Sequence, residues 1–164
     1  MLIEIIIIVG IVIFDQLMKV AAANVLTALP GHTYVFIPGF ASFTYVQNTG
    51  AAFSLFANAT LVLTILSIVL VVALFVVLYK TKKVRSLLLK MSLMFIIGGA
   101  IGNMIDRIFL GFVRDMIEFT FVKFAIFNVA DSFVSIGAVL LGVYLLFYWD
   151  KGKKDKPMKE NTHE

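Results

Sequence analysis

Four long apolar segments dominate the hydrophobic pattern of this chain. They cover residues 2 to about 23, 59 to 79, about 87 to 108 and about 129 to 149. Each segment is long enough to cross the roughly 30 Å hydrocarbon layer of a bilayer as an α-helix. The second is uncharged and apolar on all sides, which predicts that most of its surface faces lipid. The third contains Gly98 and Gly102, whose four-residue spacing predicts a close approach by another helix.

Two connecting segments carry apolar patterns of a different kind. Residues 34–37 and 40–46 flank the Pro38-Gly39 pair, which predicts two short strands joined by a turn. The connection between the third and fourth apolar segments is predicted to be an aromatic loop, because five phenylalanines fall within it: Phe112, Phe119, Phe121, Phe124 and Phe127. We expect both connections to rest on the membrane surface or to cover a groove that faces lipid.

The composition indicates that the apolar segments lie in a lipid bilayer. Of 164 residues, 61% are hydrophobic and 15% are charged, and the mean hydropathy is +1.01. An average soluble domain is about 45–50% apolar and about 25% charged, so a soluble fold of this length would leave too much apolar surface in water. We therefore predict a mainly α membrane protein with one polytopic domain, residues 1–150, and a basic, disordered tail, residues 151–164. The chain has no cysteine, which excludes disulfides and thiolate metal sites.

Basic residues set the predicted orientation. Five lie between Lys80 and Lys90, and five more lie in the tail. The positive-inside bias places both clusters in the cytoplasm, so that four spans leave both termini on that side. Glu4 rather than a basic residue leads the first segment, which favours a retained transmembrane helix over a cleaved signal peptide. No base-stacking or groove-reading element accompanies the basic clusters, so we expect no nucleic-acid partner.

Four aspartates then fall at one predicted depth, near the extracytoplasmic face. Asp106, Asp115 and Asp131 lie around the outer ends of the third and fourth spans. Asp15 lies in the outer half of the first span, four residues before Lys19, which predicts an ion pair on one helix face. A carboxylate is costly to hold near a bilayer, so such residues are candidates for function by default. Asp115 and Asp131 can also serve as helix caps, and Asp131 lies at the expected start of the fourth span.

Carboxyl groups are the catalytic side chains that this sequence makes available. Two of them a few ångströms apart share one proton, so one accepts a proton from water while the other donates one to a carbonyl oxygen. The chain has only two histidines, His32 and His163, too few for a clustered zinc site, and no G-x-S-x-G turn or phosphate-binding loop. Peptide hydrolysis by paired acids is the leading hypothesis. A proton-coupled transporter or channel subunit that uses the same acids as a relay, and a non-catalytic assembly factor, are the alternatives.

Five sequence blocks resemble those of one family. They are DQxxK at 15–19, NTGAAFS at 48–54, GAIGNMIDR at 99–107, VRDMI at 113–117 and FNVADS at 127–132. In this order, and in a chain of this size, they resemble the bacterial lipoprotein signal peptidase family (signal peptidase II). The resemblance implies an aspartyl endopeptidase without metal or cofactor, with four transmembrane helices and a small extracytoplasmic sheet, in the cytoplasmic membrane of a bacterium.

The resemblance also implies a substrate, an inhibitor and roles for particular residues. Prolipoproteins are the expected substrates, cut N-terminal to a diacylglyceryl-modified cysteine, with membrane lipids around the site and the cyclic peptide globomycin as an inhibitor. Asp115 and Asp131 match the two aspartates that form the family's catalytic dyad. The matching residues that surround them are Asp15, Lys19, Asn48, Gly50, Asn103, Asp106, Arg107, Asn128 and Ala130.

Overall fold

Within the residues that the structure describes, 1–50 and 60–148, four long helices and three strands form the fold. This computed structural model places α1 at Leu2–Leu26, α2 at Thr60–Lys80, α3 at Leu87–Leu110, α4 at Val129–Phe147, β1 at Thr33–Ile37, β2 at Ala41–Asn48 and β3 at Val113–Phe119. All four helices are long and apolar enough to cross a membrane. The predicted mainly α membrane fold with a small sheet is therefore confirmed. The predicted tail, residues 151–164, and Trp149 at the end of the fourth segment lie outside the described residues.

α3 is the central helix of the bundle, since it packs against each of α1, α2 and α4. Its middle is buried, and Leu93, Met94 and Ile97 are almost completely inaccessible. These side chains form one apolar cluster with residues of the other three helices, among them Ile8, Val71, Leu78 and Tyr144. α2 exposes most of its side chains, as its all-round apolar pattern predicts for a helix that faces lipid.

The small residues of α3 bring two helices against it at close range. A Cβ atom on Gly98 would lie 2.9 Å from the side chain of Ile11 on α1. A Cβ atom on Gly102 would lie 2.5 Å from Asp15 Oδ2 on α1 and 3.3 Å from Ala130 Cβ on α4. The predicted close approach is therefore present, and Gly102 in particular leaves the space that a buried carboxylate occupies.

The ends of α3 and α4 follow from their local sequences. Ser86 caps the start of α3, where its hydroxyl accepts a hydrogen bond from Leu89 N. Gly111 ends α3 with a φ of 80°, a left-handed conformation that glycine adopts without steric cost. α4 begins at a capping box formed by Asn128 and Asp131. Gly111 and Asn128 thereby fix where the chain enters and leaves the segment that contains β3.

The sheet is antiparallel, with the strand order β1-β2-β3. β1 and β2 form the predicted hairpin, and Gly39 in the connecting turn has a φ of 72°. β3 comes from the connection between α3 and α4, for which the sequence pattern predicted aromatic residues but no strand. It pairs with β2 so that Asn48 lies opposite Val113, two residues before Asp115. Phenylalanines from this connection and from the hairpin still form an aromatic cluster: Phe40, Phe119, Phe121, Phe124 and Phe127.

The two ends of the bundle differ in what they hold. At one end the sheet packs against α1 and α3, and β3 is hydrogen-bonded to Phe127 just before α4. At the other end Lys90 on α3 forms an ion pair with Glu4 on α1, with 3.1 Å between Nζ and Oε1. The aspartates that were predicted to share one depth lie together at the sheet end: Asp15, Asp106, Asp115 and Asp131.

Candidate active site

Asp115 is held on β3 by two asparagine side chains. Asn48 at the end of β2 donates from Nδ2 to Asp115 Oδ2 at 2.9 Å. Asn128 donates from Nδ2 to Asp115 Oδ1 at 2.7 Å. Asp115 is only 2% exposed, and each of its carboxyl oxygens has one amide donor. The two amides therefore fix the plane of the carboxyl group.

Asp131 lies in the first turn of α4, where it takes part in a reciprocal cap. The Asn128 side chain accepts a hydrogen bond from Asp131 N at 2.9 Å, and Asp131 Oδ2 accepts one from Asn128 N at 3.3 Å. Asn103 on α3 donates from Nδ2 to the other oxygen, Asp131 Oδ1, at 2.7 Å. The helix-cap role that was considered for Asp131 is therefore present, and the same cap fixes the direction of its carboxyl group.

Asn103 and Asn128 connect the two aspartates. Asn128 donates from Nδ2 to Asn103 Oδ1 at 3.1 Å, so each amide contacts the other as well as one carboxyl group. Both asparagines are buried, and their amide groups have partners for donor and acceptor atoms alike. A continuous line of hydrogen bonds therefore runs from Asp115 to Asp131.

Lys19 lies behind the asparagines and is completely buried. Its ammonium group is 2.9 Å from Asp15 Oδ2, which confirms the predicted ion pair, and 3.6 Å from Asp106 Oδ2. It also donates to Asn103 Oδ1 at 2.8 Å. Asp15 in turn accepts a hydrogen bond from Ala130 N at 2.8 Å. Because Lys19 occupies the oxygen of the Asn103 amide, the nitrogen of that amide is directed to the carboxyl group on α4.

Arg114 and Gln16 belong to the same network, although neither was among the residues predicted for the site. Arg114 donates from Nε to Asp106 Oδ2 at 3.1 Å and from Nη2 to Asp106 Oδ1 at 2.6 Å. These hydrogen bonds raise the pKa of Arg114. Nη2 also donates to Gln16 Oε1 at 2.9 Å. The signals in the sequence were the position of Arg114 beside Asp115 and the position of Gln16 within the DQxxK block.

A cavity of about 460 Å³ opens between β3, the segment 124–127 and α4. Among the described residues, three charged ones line it, and they are Arg107, Asp115 and Asp131. Most of the remaining wall is apolar: Val113, Phe119, Phe124, Ala125, Ile126, Phe127, Val134 and Ile136. Arg107 also donates from Nη2 to Gly50 O at 3.4 Å, which connects α3 to the chain just after β2. The cavity thus presents two carboxyl groups and a guanidinium within an apolar wall.

The surroundings of Asp115 disfavour its ionised form. Burial, and after it the negative charge of Asp131, raise the pKa of Asp115 from an ordinary 3.8 to about 6. Hydrogen bonds from Asn48 and Asn128 act in the opposite direction on this pKa, as does the charge of Lys19. A pKa near 6 lets the carboxyl group change protonation state close to neutral pH, which a general acid or base requires.

The described side chains at this site are arranged for hydrogen bonding rather than for metal binding. Among residues 1–50 and 60–148, no three or more His, Asp or Glu side chains are placed to hold a metal ion. The buried carboxylates receive hydrogen bonds from amide, ammonium and guanidinium groups instead. The chemistry that these side chains can supply is proton transfer by two carboxyl groups next to one guanidinium.

The residues that were predicted for the site are brought together at the sheet end of the bundle. Those that line the cavity are Asn48, Asn103, Arg107, Asp115 and Asp131. The others contact these residues or one another just outside the cavity, and they are Asp15, Lys19, Gly50, Asp106, Asn128 and Ala130. The part of the NTGAAFS block from residue 51 onward lies outside the described residues.

The fold and this site define a polytopic membrane protein with two carboxyl groups on the wall of one apolar cavity. The sequence model of the family described as signal peptidase (SPase) II matches residues 7–147. The chain therefore belongs to the signal peptidase II family.

Individual relatives agree with this assignment. The chain is 43% identical to the lipoprotein signal peptidase of Caldanaerobacter subterraneus subsp. tengcongensis, over 87% of this chain and 95% of the relative. It is 40% identical to the lipoprotein signal peptidase of Enterococcus faecalis, over 77% of this chain and 78% of the relative. A solved structure described as a bacterial membrane enzyme, at 2.3 Å resolution, superposes with a TM-score of 0.78 and 34% identity. That match covers 96% of this chain and 93% of the solved chain.

Membership of this family gives the activity in outline. The chain is a membrane-embedded peptidase, and it cleaves signal peptides from prolipoproteins. A transporter or channel subunit, the alternative that the same acids raised, is a different class of protein from this family.

Proposed function

We propose that the chain is an aspartic endopeptidase and that Asp115 and Asp131 are its catalytic residues. The observation that supports this most strongly is the shared cavity. Both carboxyl groups line it, and each accepts a hydrogen bond from an asparagine amide at 2.7 Å. Burial, and after it the negative charge of Asp131, raises the pKa of Asp115, and the contribution from Asp131 is the one expected between neighbouring carboxyl groups that share a proton. Such a pair titrates as a unit.

In the proposed reaction one carboxyl group is ionised and the other is protonated. The ionised group removes a proton from water, whose oxygen attacks the carbonyl carbon of the scissile bond, while the protonated group donates its proton to the carbonyl oxygen. The product of this step is a neutral diol. The first group then gives its new proton to the amide nitrogen as the C–N bond breaks, and a diol hydroxyl returns a proton to the second group. The shared-proton state is thereby restored without a covalent intermediate.

The proposed substrate is a prolipoprotein whose cysteine carries a diacylglyceryl group, cut N-terminal to that cysteine. Exposed apolar side chains lie along α4 beside the cavity, where Ile136 is 50% exposed and Val139 is 66% exposed. We expect the acyl chains to lie against this surface among the membrane lipids. Because the lipid anchor holds the peptide at the membrane, little of the signal sequence itself has to be recognised.

The proposed orientation places the sheet end of the bundle on the extracytoplasmic side of the bacterial cytoplasmic membrane. The connection between α2 and α3 lies at the opposite end and contains Lys82, Lys83 and Arg85. The positive-inside bias assigns this connection to the cytoplasm, and the four spans found in residues 1–50 and 60–148 then place both termini there. A signal peptide belongs to a protein that is being exported, so cleavage on the outer side suits the activity.

The residues around the pair have supporting roles in this proposal. Arg107 lies in the cavity and already donates to one backbone carbonyl, that of Gly50, so it is suited to hold the extended backbone of a substrate. Asn48 orients the carboxyl group of Asp115. Ala130 has to be small, because α3 approaches it at Gly102.

The test uses the purified full chain in mild detergent and two synthetic prolipoprotein peptides that differ only in the diacylglyceryl group on cysteine. We expect cleavage of the lipidated peptide directly N-terminal to the cysteine, detected by mass. A chelator should leave this cleavage unaffected, and globomycin should abolish it. Equal cleavage of both peptides, or cleavage at another bond, would contradict the proposed substrate. Loss of activity with the chelator would contradict the metal-free mechanism.

A further inference from the structure

Arg114 is the sequence neighbour of a proposed catalytic residue, yet its side chain does not line the cavity. Successive residues of a strand direct their side chains to opposite faces. Arg114 therefore leaves β3 on the side away from the Asp115 carboxyl group. Its side chain is 12% exposed and is directed toward α1 and α3.

Four hydrogen bonds join Arg114 to these two helices. Asp106 accepts from the backbone N of Arg114 at 3.0 Å and from its guanidinium at 3.1 and 2.6 Å. Gln16 accepts from Nη2 at 2.9 Å, and Gln16 is itself fixed because its Nε2 donates to Gly102 O at 3.0 Å. The guanidinium presents two donors to one carboxyl group, a geometry that a lysine does not reproduce.

The same contacts balance the buried charge next to the catalytic pair. Two aspartates and two cations form one connected group with no net charge: Asp15, Lys19, Asp106 and Arg114. Without the guanidinium this group would carry one uncompensated negative charge, which favours the protonated form of a nearby carboxyl group. The charged or titratable groups around Asp115 and Arg114 on the packed elements are Asp15, Lys19, Tyr45, Asp106, Arg107 and Asp131.

We propose that Arg114 is a positioning residue for the cleavage reaction. It fixes β3 to α1 and α3 so that Asp115 is held at the cavity. Its positive charge balances Asp106 and so opposes the upward shift in the pH dependence of the catalytic pair that an unpaired carboxylate nearby would cause. This role rests on the proposed function, because it concerns the catalytic use of Asp115. It acts through Asp106 and Gln16 and requires no contact with the substrate.

Three variants separate the two parts of this role. Arg114→Met removes both the two-donor contact and the charge, whereas Arg114→Lys keeps the charge alone. Arg85→Met is the matched control, since it removes an exposed arginine at the opposite end of the bundle. All are assayed as the full chain in mild detergent with the diacylglyceryl-modified peptide, and kcat and KM are measured from pH 4.5 to pH 9.

We expect Arg114→Met to lower kcat by about tenfold to a hundredfold, because a small displacement of a catalytic group has effects of this size. KM should stay within about twofold, since the contact is not made with substrate. Both limbs of the pH profile should move upward by roughly half a pH unit or more. Arg114→Lys should retain the parent limbs and part of kcat, and Arg85→Met should match the parent.

Unchanged kcat in Arg114→Met would overturn the proposal. So would a lower kcat with unmoved pH limbs, which is the behaviour of a purely structural residue. A parent chain that does not cleave refutes the proposed function instead, and amide hydrogen exchange then decides the role of Arg114. Faster exchange in residues 113–119 of Arg114→Met, but not of Arg85→Met, supports positioning, and equal exchange in both overturns it.

Discussion

The buried carboxyl group of Asp115 makes the stability of the protein depend on pH. In the folded chain its pKa is raised from an ordinary 3.8 to about 6, with burial as the largest cause and the charge of Asp131 as the next. Between these values the folded state holds a proton that the unfolded chain has already lost, so stability falls as the pH rises through this window. A pKa shift of one unit corresponds to about 1.4 kcal/mol, so above pH 6 the protein has lost about 3 kcal/mol of its free energy of unfolding.

Asp115→Asn removes this titration because an amide does not ionise. We expect the free energy of unfolding of the variant, relative to the parent, to rise by about 2.5 kcal/mol between pH 4 and pH 8, because the unfolded carboxyl group is already partly ionised at pH 4. The substitution also alters the hydrogen bonds with Asn48 and Asn128, but this change affects the free energy of unfolding at both pH values and largely cancels when the two values are compared. The measurement is chemical unfolding in mild detergent, followed by circular dichroism at both pH values. A gain in stability together with a loss of activity is the result expected for a catalytic residue.

Asp115→Glu is the matched control, since it keeps a carboxyl group at the same position of β3. We expect it to keep the pH dependence of the parent. The reasoning is refuted if Asp115→Asn differs from the parent by the same free energy at pH 4 and at pH 8.

Three further substitutions test the charge and packing around the site. Lys19→Met should lower the free energy of unfolding by about 3–5 kcal/mol in the same assay, because it leaves the buried carboxylate of Asp15 without its cation. Adding Asp15→Asn should recover part of this loss, and no recovery would argue against the ion pair as the cause. Gly102→Ala should lower Tm and activity, since its Cβ would lie 2.5 Å from Asp15 Oδ2. A Cβ on Gly10 would meet no atom of the described residues within 4 Å, so Gly10→Ala should preserve both, and equal effects of the two substitutions would speak against a steric cause. Asn128→Ala should lower the free energy of unfolding by about 1 kcal/mol through the lost helix cap alone. It should also reduce kcat, and a kcat equal to that of the parent would show that this amide does not hold Asp115 and Asp131 in place.

The helices were predictable from sequence because a segment that spans a lipid bilayer must be long, apolar and hydrogen-bonded within itself. A spanning helix satisfies its backbone within itself and presents apolar side chains outward, so the uncharged run of α2 is evident in the sequence. α3 begins at Leu87, as predicted, and ends at Leu110, two residues beyond the predicted end. The pairing of Asp15 with Lys19 was also predictable, since the two residues lie four apart on one helix.

β3 and the contacts of Arg114 depend on assembly and were not predictable in this way. The segment Val113–Phe119 contains two acids and an arginine, so it does not show the alternation of a half-buried strand. It forms a strand because β2 offers an open edge, and because each polar side chain finds a partner once the chain is folded. Glu118 accepts hydrogen bonds from Ser42 and Thr44 on β2, Asp115 accepts them from Asn48 and Asn128, and Arg114 donates to Gln16 on α1 and Asp106 on α3. Arg114 and Gln16 are 98 residues apart in sequence, and nothing local to either residue indicates that they meet.

The central claim is that the carboxyl groups of Asp115 and Asp131 carry out the cleavage. The most direct measurement compares purified Asp115→Asn and Asp131→Asn with the parent chain on the diacylglyceryl-modified prolipoprotein peptide, with the product followed by mass. Binding of the same peptide, measured separately, establishes that each variant is folded and takes substrate. We predict that both variants bind the peptide and that neither cuts it at a detectable rate. Cleavage by either variant at a rate near that of the parent would contradict the claim and make Asp106 the next candidate.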